Sequence, residues 1–349
     1  MADGRPQRGI TLKFEEQLKE GILSPLLELV QNDDTLSLEI RSNFVDIYYR
    51  GGRLLGIHEQ AKGARFWTDF DEDYFGKGDE YRLKRPTPTP SKIIKSKPDA
   101  QTWVDVFGAY KQAMDIRLSL HAKLEREYQQ AVVRDNNRHA IGEQTDYVII
   151  DVEYTQSKLA IPGQKADYRF DMVGFRRPLP GRAWGRSVMP VIIEMKAGDG
   201  AIASRCKGGD SGDLTPGLVK HVQDFERFLG PVSGEQTSGP FELLRKELVE
   251  TFGTKQRLRL RSLPKPMLDL KITDVGLRPE VLFVLANHNP RSKILARELA
   301  KLARLAHDRA DYRIATVSHA GYALFAKNVK PLDEFVAQAT AEGVPEGTE

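Results

Sequence analysis

Three extended runs follow one another in the middle of this chain and constrain its fold more than any other feature. Each run is rich in β-branched and aromatic residues, and loops that contain Gly and Pro separate them. Sequential strands with short connections usually neighbour one another in a sheet. The strands that we predict to be adjacent are Tyr147 to Tyr154, Tyr168 to Phe175 and Val191 to Lys196.

Helical and apolar segments flank these strands. Pro98 suits the first turn of a helix, and no proline follows it through about Asn136, which predicts one long helix, or two with a break near Gly108. Apolar residues at intervals of four, three and four predict a helix over residues 217–229. Residues 279–289 form a short, continuously apolar run that is typical of a strand covered on both faces. The predicted order is helix, three strands, helix, strand, which is an α/β arrangement.

The first 84 residues indicate a separate small module. A helical stretch near Phe14 to Val30 precedes a hairpin that ends at Gly51 and Gly52, so we expect an α+β accessory domain. Residues 85–98 contain four prolines and should form an extended linker. The main domain is then expected to cover residues 99–349, with a helical extension at its C-terminal end.

The sequence indicates neither a membrane-spanning segment nor a disulfide. The apolar runs are too short to cross a bilayer, and the first residues, MADGRPQRG, have no apolar core of a signal peptide. The single cysteine, Cys206, cannot form an intramolecular disulfide or a cysteine zinc site. We therefore expect a reducing, cytoplasmic setting.

Positive charge is clustered, although the net charge is only +3. Arg82 to Lys97 and Lys255 to Lys265 are rich in Lys and Arg and contain no acidic residue. Such clusters contact phosphates or simply form a solvated surface, and the sequence leaves both interpretations open. The residues predicted to contact nucleic acid are Lys84, Arg85, Lys92, Lys95, Lys97, Arg257, Arg259 and Arg261.

Two acids and a lysine are expected to converge at the centre of the three strands. Side chains alternate along a strand, so Glu194 and Lys196 should share one face, and Asp171 interrupts an apolar run of the preceding strand. If these strands pair, Asp171 and Glu194 can share one hard cation, Mg²⁺ or Mn²⁺. A second acid-x-Lys match, Asp269 to Lys271, has no preceding strand that carries an acid.

These residues satisfy the demands of phosphodiester hydrolysis. A cation activates water and polarises the phosphoryl group, and a nearby ammonium stabilises the charge that develops. Asp171 followed by Glu194-Met195-Lys196, after the helical LEREYQQAVVRDNN, resembles the PD-(D/E)XK nuclease superfamily over roughly residues 120–290. Phe170 stands where that motif has its proline.

The resemblance implies a restriction-endonuclease-like αβββαβ core, a mixed sheet flanked by helices. It implies that Asp171 and Glu194 bind metal, that the Met195 backbone carbonyl joins them, and that Lys196 assists the attacking water. The superfamily often adds a glutamate from the first core helix. We expect Glu127 rather than Glu125, because Leu120, Leu124, Tyr128 and Ala131 would form the buried stripe that Glu127 borders.

Further polar residues are candidates for supporting roles. Asp151 and Glu153 are reserve ligands on the first strand, and His221 and Gln223 on the following helix are candidates to orient water or contact phosphate. For each of these, an ordinary structural role is the alternative.

Other chemistries are not supported by motifs. The seven histidines form no HxH or HExxH pair, and there is no GxxxxGK[ST] or GxSxG, so zinc, an ATP site and a serine nucleophile are not indicated. The resemblance implies a nuclease that depends on Mg²⁺ or Mn²⁺, and we expect DNA rather than RNA as its substrate. It further implies a bacterial restriction or phage-defence setting, in which the chain would act as a homo-oligomer or with a defence partner. The alternatives are an RNA nuclease and a non-catalytic binding module with the same fold.

Overall fold

A computed structural model describes residues 8–60, 63–76, 82–137, 145–161, 164, 167–178, 183–205, 214–230, 239–289, 292–305, 308–325 and 327–341. The chain divides into two compact units. The first comprises Met1–Gln130 and Glu250–Asp269, and the second comprises Ala131–Val249 and Leu270–Glu349. Cys206 lies outside the described residues.

The first unit is an α+β fold built on a five-stranded antiparallel sheet whose strands follow chain order. Helix side chains such as Phe14, Leu27 and Phe107 and sheet side chains such as Ile47 form one buried core. The strands are β1 (Leu36–Ile40), β2 (Phe44–Tyr49), β3 (Gly52–Gln60), β4 (Arg65–Asp69) and β5 (Ile93–Ile94); the helices are α1 (Leu12–Lys19), α2 (Ser24–Asn32) and α3 (Lys97–Leu120).

Element boundaries in this unit differ from the sequence predictions in two places. The helix predicted near Phe14 to Val30 is two helices separated by residues 20–23. The break in the long helix falls at residues 121–123, where His121 leaves helical geometry (φ −133°, ψ 70°), and not near Gly108. A glycine inside a helix costs only about 1 kcal/mol, which the buried side chains of α3, such as Trp103 and Phe107, can offset.

The proline-rich segment does not separate the two units. Ile94 of this segment pairs with Phe66 in the sheet, and the Trp103 indole of α3 donates to the Ser91 carbonyl at 3.0 Å. The first unit therefore continues through Gln130, well beyond the predicted boundaries at 84 and 98.

The second unit contains a mixed sheet with the order β12-β11-β10-β8-β7-β6, and β9 pairs with β8. β6, β7 and β8 are antiparallel, whereas β8, β10 and β11 are parallel, with β12 antiparallel at the edge. The strands are β6 (Tyr147–Gln156), β7 (Tyr168–Arg176), β8 (Ser187–Ala197), β9 (Asp274–Val275), β10 (Glu280–Ala286), β11 (Asp311–Val317) and β12 (Val329–Pro331). The helices that lie wholly in this unit are α5 (Leu218–Leu229), α7 (Lys293–Leu302) and α8 (Leu332–Ala341), and α4 (Leu124–Asn137) and α6 (Pro240–Arg257) lie partly in it.

The predicted central order is confirmed. The three predicted strands are β6, β7 and β8 and are neighbours, α5 follows them, and the apolar run forms β10. The predicted C-terminal helical extension contains α7 and α8 but also two strands, because residues 311–317 form β11 beside β10 and residues 329–331 form β12. Tyr312, Ile314 and Val317 of β11 are buried there. α4 and α6 each run from one unit into the other along the chain.

Aromatic packing holds α5 on the sheet. The Phe170 ring of β7 lies 5.3 Å from the Phe225 ring and 4.7 Å from the Phe228 ring, and Phe225 lies 5.9 Å from Phe283 of β10. Phe170 is the residue at the proline position of the motif, and this aromatic side chain serves core packing. The contact fixes α5 over the strands that carry the candidate site.

Within the part of the chain that the structure describes, no helix is both long and apolar enough to cross a membrane.

Lys255 is buried and does not present its charge to solvent. Its ammonium lies 2.7 Å from the Glu39 carboxylate, and both side chains are at most 2% exposed. Desolvating two charges is costly, and only their mutual attraction offsets the cost. Lys255, which the sequence placed in the second basic cluster, therefore has a structural role.

We predict that Lys255→Met destabilises the first unit by about 3–5 kcal/mol, because it leaves the Glu39 charge buried without its partner. Urea unfolding followed by circular dichroism measures this effect. The double variant Glu39→Leu/Lys255→Met should recover most of the loss, and the exposed control Lys265→Met should change stability little. A Lys255→Met protein as stable as the parent would contradict the buried pair.

Candidate active site

Asp171 lies where the ladder between β7 and β8 ends. The last pair in register is Met172 with Ile193, so Asp171 and Glu194 are the next residues opposite each other. The Asp171 carboxylate accepts a hydrogen bond from the Met195 backbone N–H at 2.7 Å. This bond fixes the half-buried carboxylate of Asp171 against β8.

Glu194 and Lys196 form a buried ion pair on one face of β8. The Lys196 ammonium donates to Glu194 Oε1 at 2.6 Å, and each residue is only 4% exposed. Met195 between them is fully buried. The alternation that the sequence predicted for these residues is therefore confirmed.

His221 of α5 completes this group. Its Nε2 lies 3.1 Å from the Lys196 ammonium and 3.1 Å from Glu194 Oε1. An ammonium carries only donors, so His221 can accept from Lys196 when its own proton is on Nδ1. Burial, and then the charges of Lys196 and Lys220, lower the pKa of His221 to about 3. The ring is thus neutral at pH 7, which suits an acceptor.

The Asp171 and Glu194 carboxylates lie close together, with oxygens within 4.8 Å of each other. Glu127 of α4, which was expected to add a third carboxylate, pairs with Arg50 of the same unit at 3.0 Å. The choice between Glu127 and Glu125 stays a prediction.

The break before α4 removes the basis of that choice. Leu120 and Leu124 were expected to mark the buried stripe, but they are 56% and 51% exposed. The stripe that is buried in α4 contains Gln129, Val132 and Asn136, and Glu125 lies four residues before Gln129 on the same side of the helix. Residues of α3 could not set the phase of a helix that begins after a break.

The remaining supporting candidates are less central. Glu153 falls between the pairs Val152 with Met172 and Tyr154 with Phe170, and therefore opposite Asp171, but its oxygens are not in the group within 4.8 Å. Its positive φ of 51° and a register shift after Ile149 break the alternation expected for Asp151 and Glu153.

Gln223 is exposed, and it lies two residues along α5 from His221. Side chains two apart point to different sides of a helix, so Gln223 is not part of the group. The competing match, Asp269 with Lys271, is exposed and lies outside the helices and strands.

The basic residues are surface groups with varied partners. Glu72 pairs with Arg85 at 2.9 Å and with Lys92 at 3.9 Å. Glu15 pairs with Arg257 at 2.8 Å, and Asp34 lies 3.8 Å from Arg261. The others, which are also exposed, are Lys84, Lys95, Lys97 and Arg259.

The carboxylates suit a hard divalent cation. Ligand distances of about 2.0 to 2.6 Å let one ion join oxygens up to roughly 5 Å apart, which the separation of at most 4.8 Å allows. Carboxylate oxygens without sulfur or several imidazoles favour Mg²⁺ or Mn²⁺ over zinc or copper. Comparison with known proteins adds nothing to this picture, since no family model, curated protein or solved structure matches the chain.

We predict that Asp171→Asn weakens Mn²⁺ binding by at least about tenfold, because the variant has one anionic ligand fewer. Glu194→Gln should weaken it too, whereas the control Glu127→Gln should not, because Glu127 is paired with Arg50. Calorimetric titration measures all three. Equal affinities for the parent protein and Asp171→Asn would show that no cation binds at this group.

Proposed function

We propose that this protein is a metal-dependent nuclease of the PD-(D/E)XK type that hydrolyses phosphodiester bonds, with DNA favoured as its substrate. The order of α4, three antiparallel strands, α5 and the parallel strand β10 supports this proposal, since it matches the αβββαβ core that the motif implies. We further propose a cytoplasmic setting in restriction or phage defence, consistent with the sequence resemblance.

One observation carries the proposal. Asp171 and Glu194 face each other across neighbouring strands, and Lys196 adjoins Glu194 on the same face. A carboxylate inside an apolar strand is costly unless it is paired or binds a cation. Two such acids and a lysine at one point of a sheet suit phosphoryl chemistry better than a structural role alone.

Each side chain has a distinct part in the proposed reaction. Asp171 and Glu194 would hold Mg²⁺ or Mn²⁺, which would supply Lewis-acid polarisation of the phosphodiester and ease the deprotonation of water. Lys196 provides a positive charge against the extra negative charge of the pentacoordinate phosphorus. With its proton on Nδ1, His221 accepts from the Lys196 ammonium and so restricts where that charge points. Positioning of this kind lowers the barrier because the group needs no reorganisation during the reaction.

A non-catalytic binding module on the same fold is the second candidate, and an RNA nuclease is the third. The complete set of Asp171, Glu194 and Lys196 favours an enzyme, since a module that only binds has no need of the lysine beside the acids. Incubating the purified protein with linear, circular and single-stranded DNA and with RNA, in Mg²⁺, Mn²⁺ or EDTA, separates the three. Cleavage that requires the metal and is abolished in Asp171→Asn supports the nuclease; binding without cleavage of any substrate supports the module.

We predict that Lys196→Met reduces the cleavage rate by about 100-fold or more while nucleic-acid binding and Mn²⁺ binding persist. Loss of a preorganised charge-stabilising group typically costs this much in turnover, and one phosphate contact is a small share of binding. Single-turnover cleavage and calorimetry on the same variant measure the two effects. Full activity in Lys196→Met would show that the Glu-x-Lys match is accidental.

We predict that His221→Ala lowers turnover about 10-fold or more with little change in KM, because it removes a hydrogen bond to a charged group that sits close to the reaction. His221→Gln keeps an acceptor and should recover most of the rate. The exposed neighbour variant Gln223→Ala serves as the control and should behave like the parent. Equal losses in His221→Ala and His221→Gln would contradict the positioning role.

We predict that Lys95→Gln/Lys97→Gln weakens duplex binding for all sequences alike. The slope of log affinity against log salt should flatten by roughly 0.9 for each duplex phosphate that the variant no longer neutralises. The control pair Lys271→Gln/Lys293→Gln removes two exposed charges outside the predicted clusters. If both double variants show the same salt dependence of duplex affinity as the parent, the basic cluster is a solvated surface.

A further inference from the structure

A cavity of about 490 Å³ lies at the carboxyl end of β11. This volume falls within the range of about 300–1,000 Å³ that is usual for small-molecule sites. Its lining includes Asp135 of α4, Thr316 and Ser318 at the end of β11, and Phe325, Lys327 and Asn328 of the loop that leads to β12.

Hydrogen bonds hold the wall of this cavity in place. The Asn328 side chain accepts from the Phe325 N–H at 2.7 Å and donates to the Ala323 carbonyl at 3.1 Å. The Asp135 carboxylate accepts from the Tyr322 N–H at 3.1 Å. These bonds tie residues 322–325 and Asn328 to one another and to α4.

The lining combines an aromatic ring with one positive charge. The Lys327 ammonium lies 5.5 Å from the centre of the Phe325 ring, and Lys327 is the only cation among the described residues that line the cavity. An aromatic face that takes a base, next to a cation that takes a phosphate, is the usual combination for unpaired nucleotides. The small residues Ala320 and Gly321 leave room beside them.

The cavity lies on the same edge of the sheet as the candidate active site. Leu285 of β10 is in register with Lys196 on one side and with Thr316 on the other, and all three strands are parallel. Because neighbouring strands lie about 4.8 Å apart, the backbone of Thr316 lies about 10 Å from the backbone of Lys196. Ligands of such sheets bind beyond the carboxyl ends of the strands, which is where both features are found.

Polar groups occupy the edge of the sheet between the candidate active site and the cavity. The Asn287 N–H donates to the Val317 carbonyl at 3.0 Å, and its side-chain amide lies 3.3 Å from His319 Nε2. His288 follows Asn287, and burial lowers its pKa, so its ring is neutral at pH 7. Neutral donors and acceptors of this kind contact sugar and phosphate oxygens without repelling them.

We propose that this cavity binds one unstacked nucleotide of the substrate strand, with its base against Phe325 and a phosphate at Lys327. The inference rests on the proposed function, because it assigns the strand that is cut to a single-stranded or locally unpaired form. At about 3.4 Å per nucleotide, a stacked strand would span the 10 Å from Lys196 in roughly three nucleotides. A paired base is not available for stacking on a side chain, so a continuous duplex would not use this site.

The test is binding in EDTA, where no cleavage occurs. Fluorescence anisotropy with labelled oligodeoxythymidine, and with the same strand annealed to its complement, compares Phe325→Leu and Lys327→Gln with the parent. Phe325→Leu should weaken single-strand binding about tenfold and leave duplex binding unchanged. Lys327→Gln should flatten the single-strand salt slope by about 0.7. Phe241→Leu and Lys293→Gln, outside the cavity, are the matched controls.

Unchanged single-strand affinity in Phe325→Leu, or equal losses for single strand and duplex, would overturn the inference. Thermal unfolding of each variant shows whether a weaker affinity comes from misfolding, and Phe325→Tyr, which keeps the ring, should then bind like the parent. Cleavage by the parent protein in Mg²⁺ is measured separately. If the parent cleaves DNA and Phe325→Leu binds single strands like the parent, the cavity proposal is rejected and the nuclease proposal stands. If Phe325→Leu selectively weakens single-strand binding and the parent cleaves no substrate, the nuclease proposal is rejected and the cavity proposal stands.

Discussion

The pairing of Met172 with Ile193 sets the register of β7 against β8, and the candidate site depends on that register. A shift by one residue would turn Asp171 to the other face of the sheet, away from Glu194 and Lys196. Apolar packing prevents such a shift, because Phe170 and Met172 would have to leave the core in which they are almost fully buried. The hydrophobic core thus stabilises a cluster of charges that would be unfavourable in isolation.

Much of the second unit could be predicted from sequence because its signals are local. The β-rich runs, the apolar stripe of α5 and the alternation of Glu194 and Lys196 each follow from a short window. β11 was not predicted, although its sequence, DYRIATV, contains the strand-favouring residues Tyr312, Ile314, Thr316 and Val317. The domain boundary was missed because residues 250–269 return to the first unit, which no local signal reveals.

The first core helix shows where local reasoning fails. Choosing between Glu125 and Glu127 required the phase of α4, and that phase depends on the break at residues 121–123. No Gly or Pro marks this break in the sequence. Lys255 shows the same limit for charge: its basic neighbours suggested an exposed surface, whereas its buried partner Glu39 lies 216 residues earlier in the chain.

A crystal of the protein grown or soaked with Mn²⁺ tests the metal centre most directly, because the anomalous signal of the ion locates it independently of activity. We expect one Mn²⁺ peak with carboxylate oxygens of Asp171 and Glu194 at about 2.0–2.6 Å. Lys196 should lie beside the ion without coordinating it. Saturating Mn²⁺ with no peak between Asp171 and Glu194, or a peak held by other residues alone, would contradict the assignment of this group as the catalytic centre.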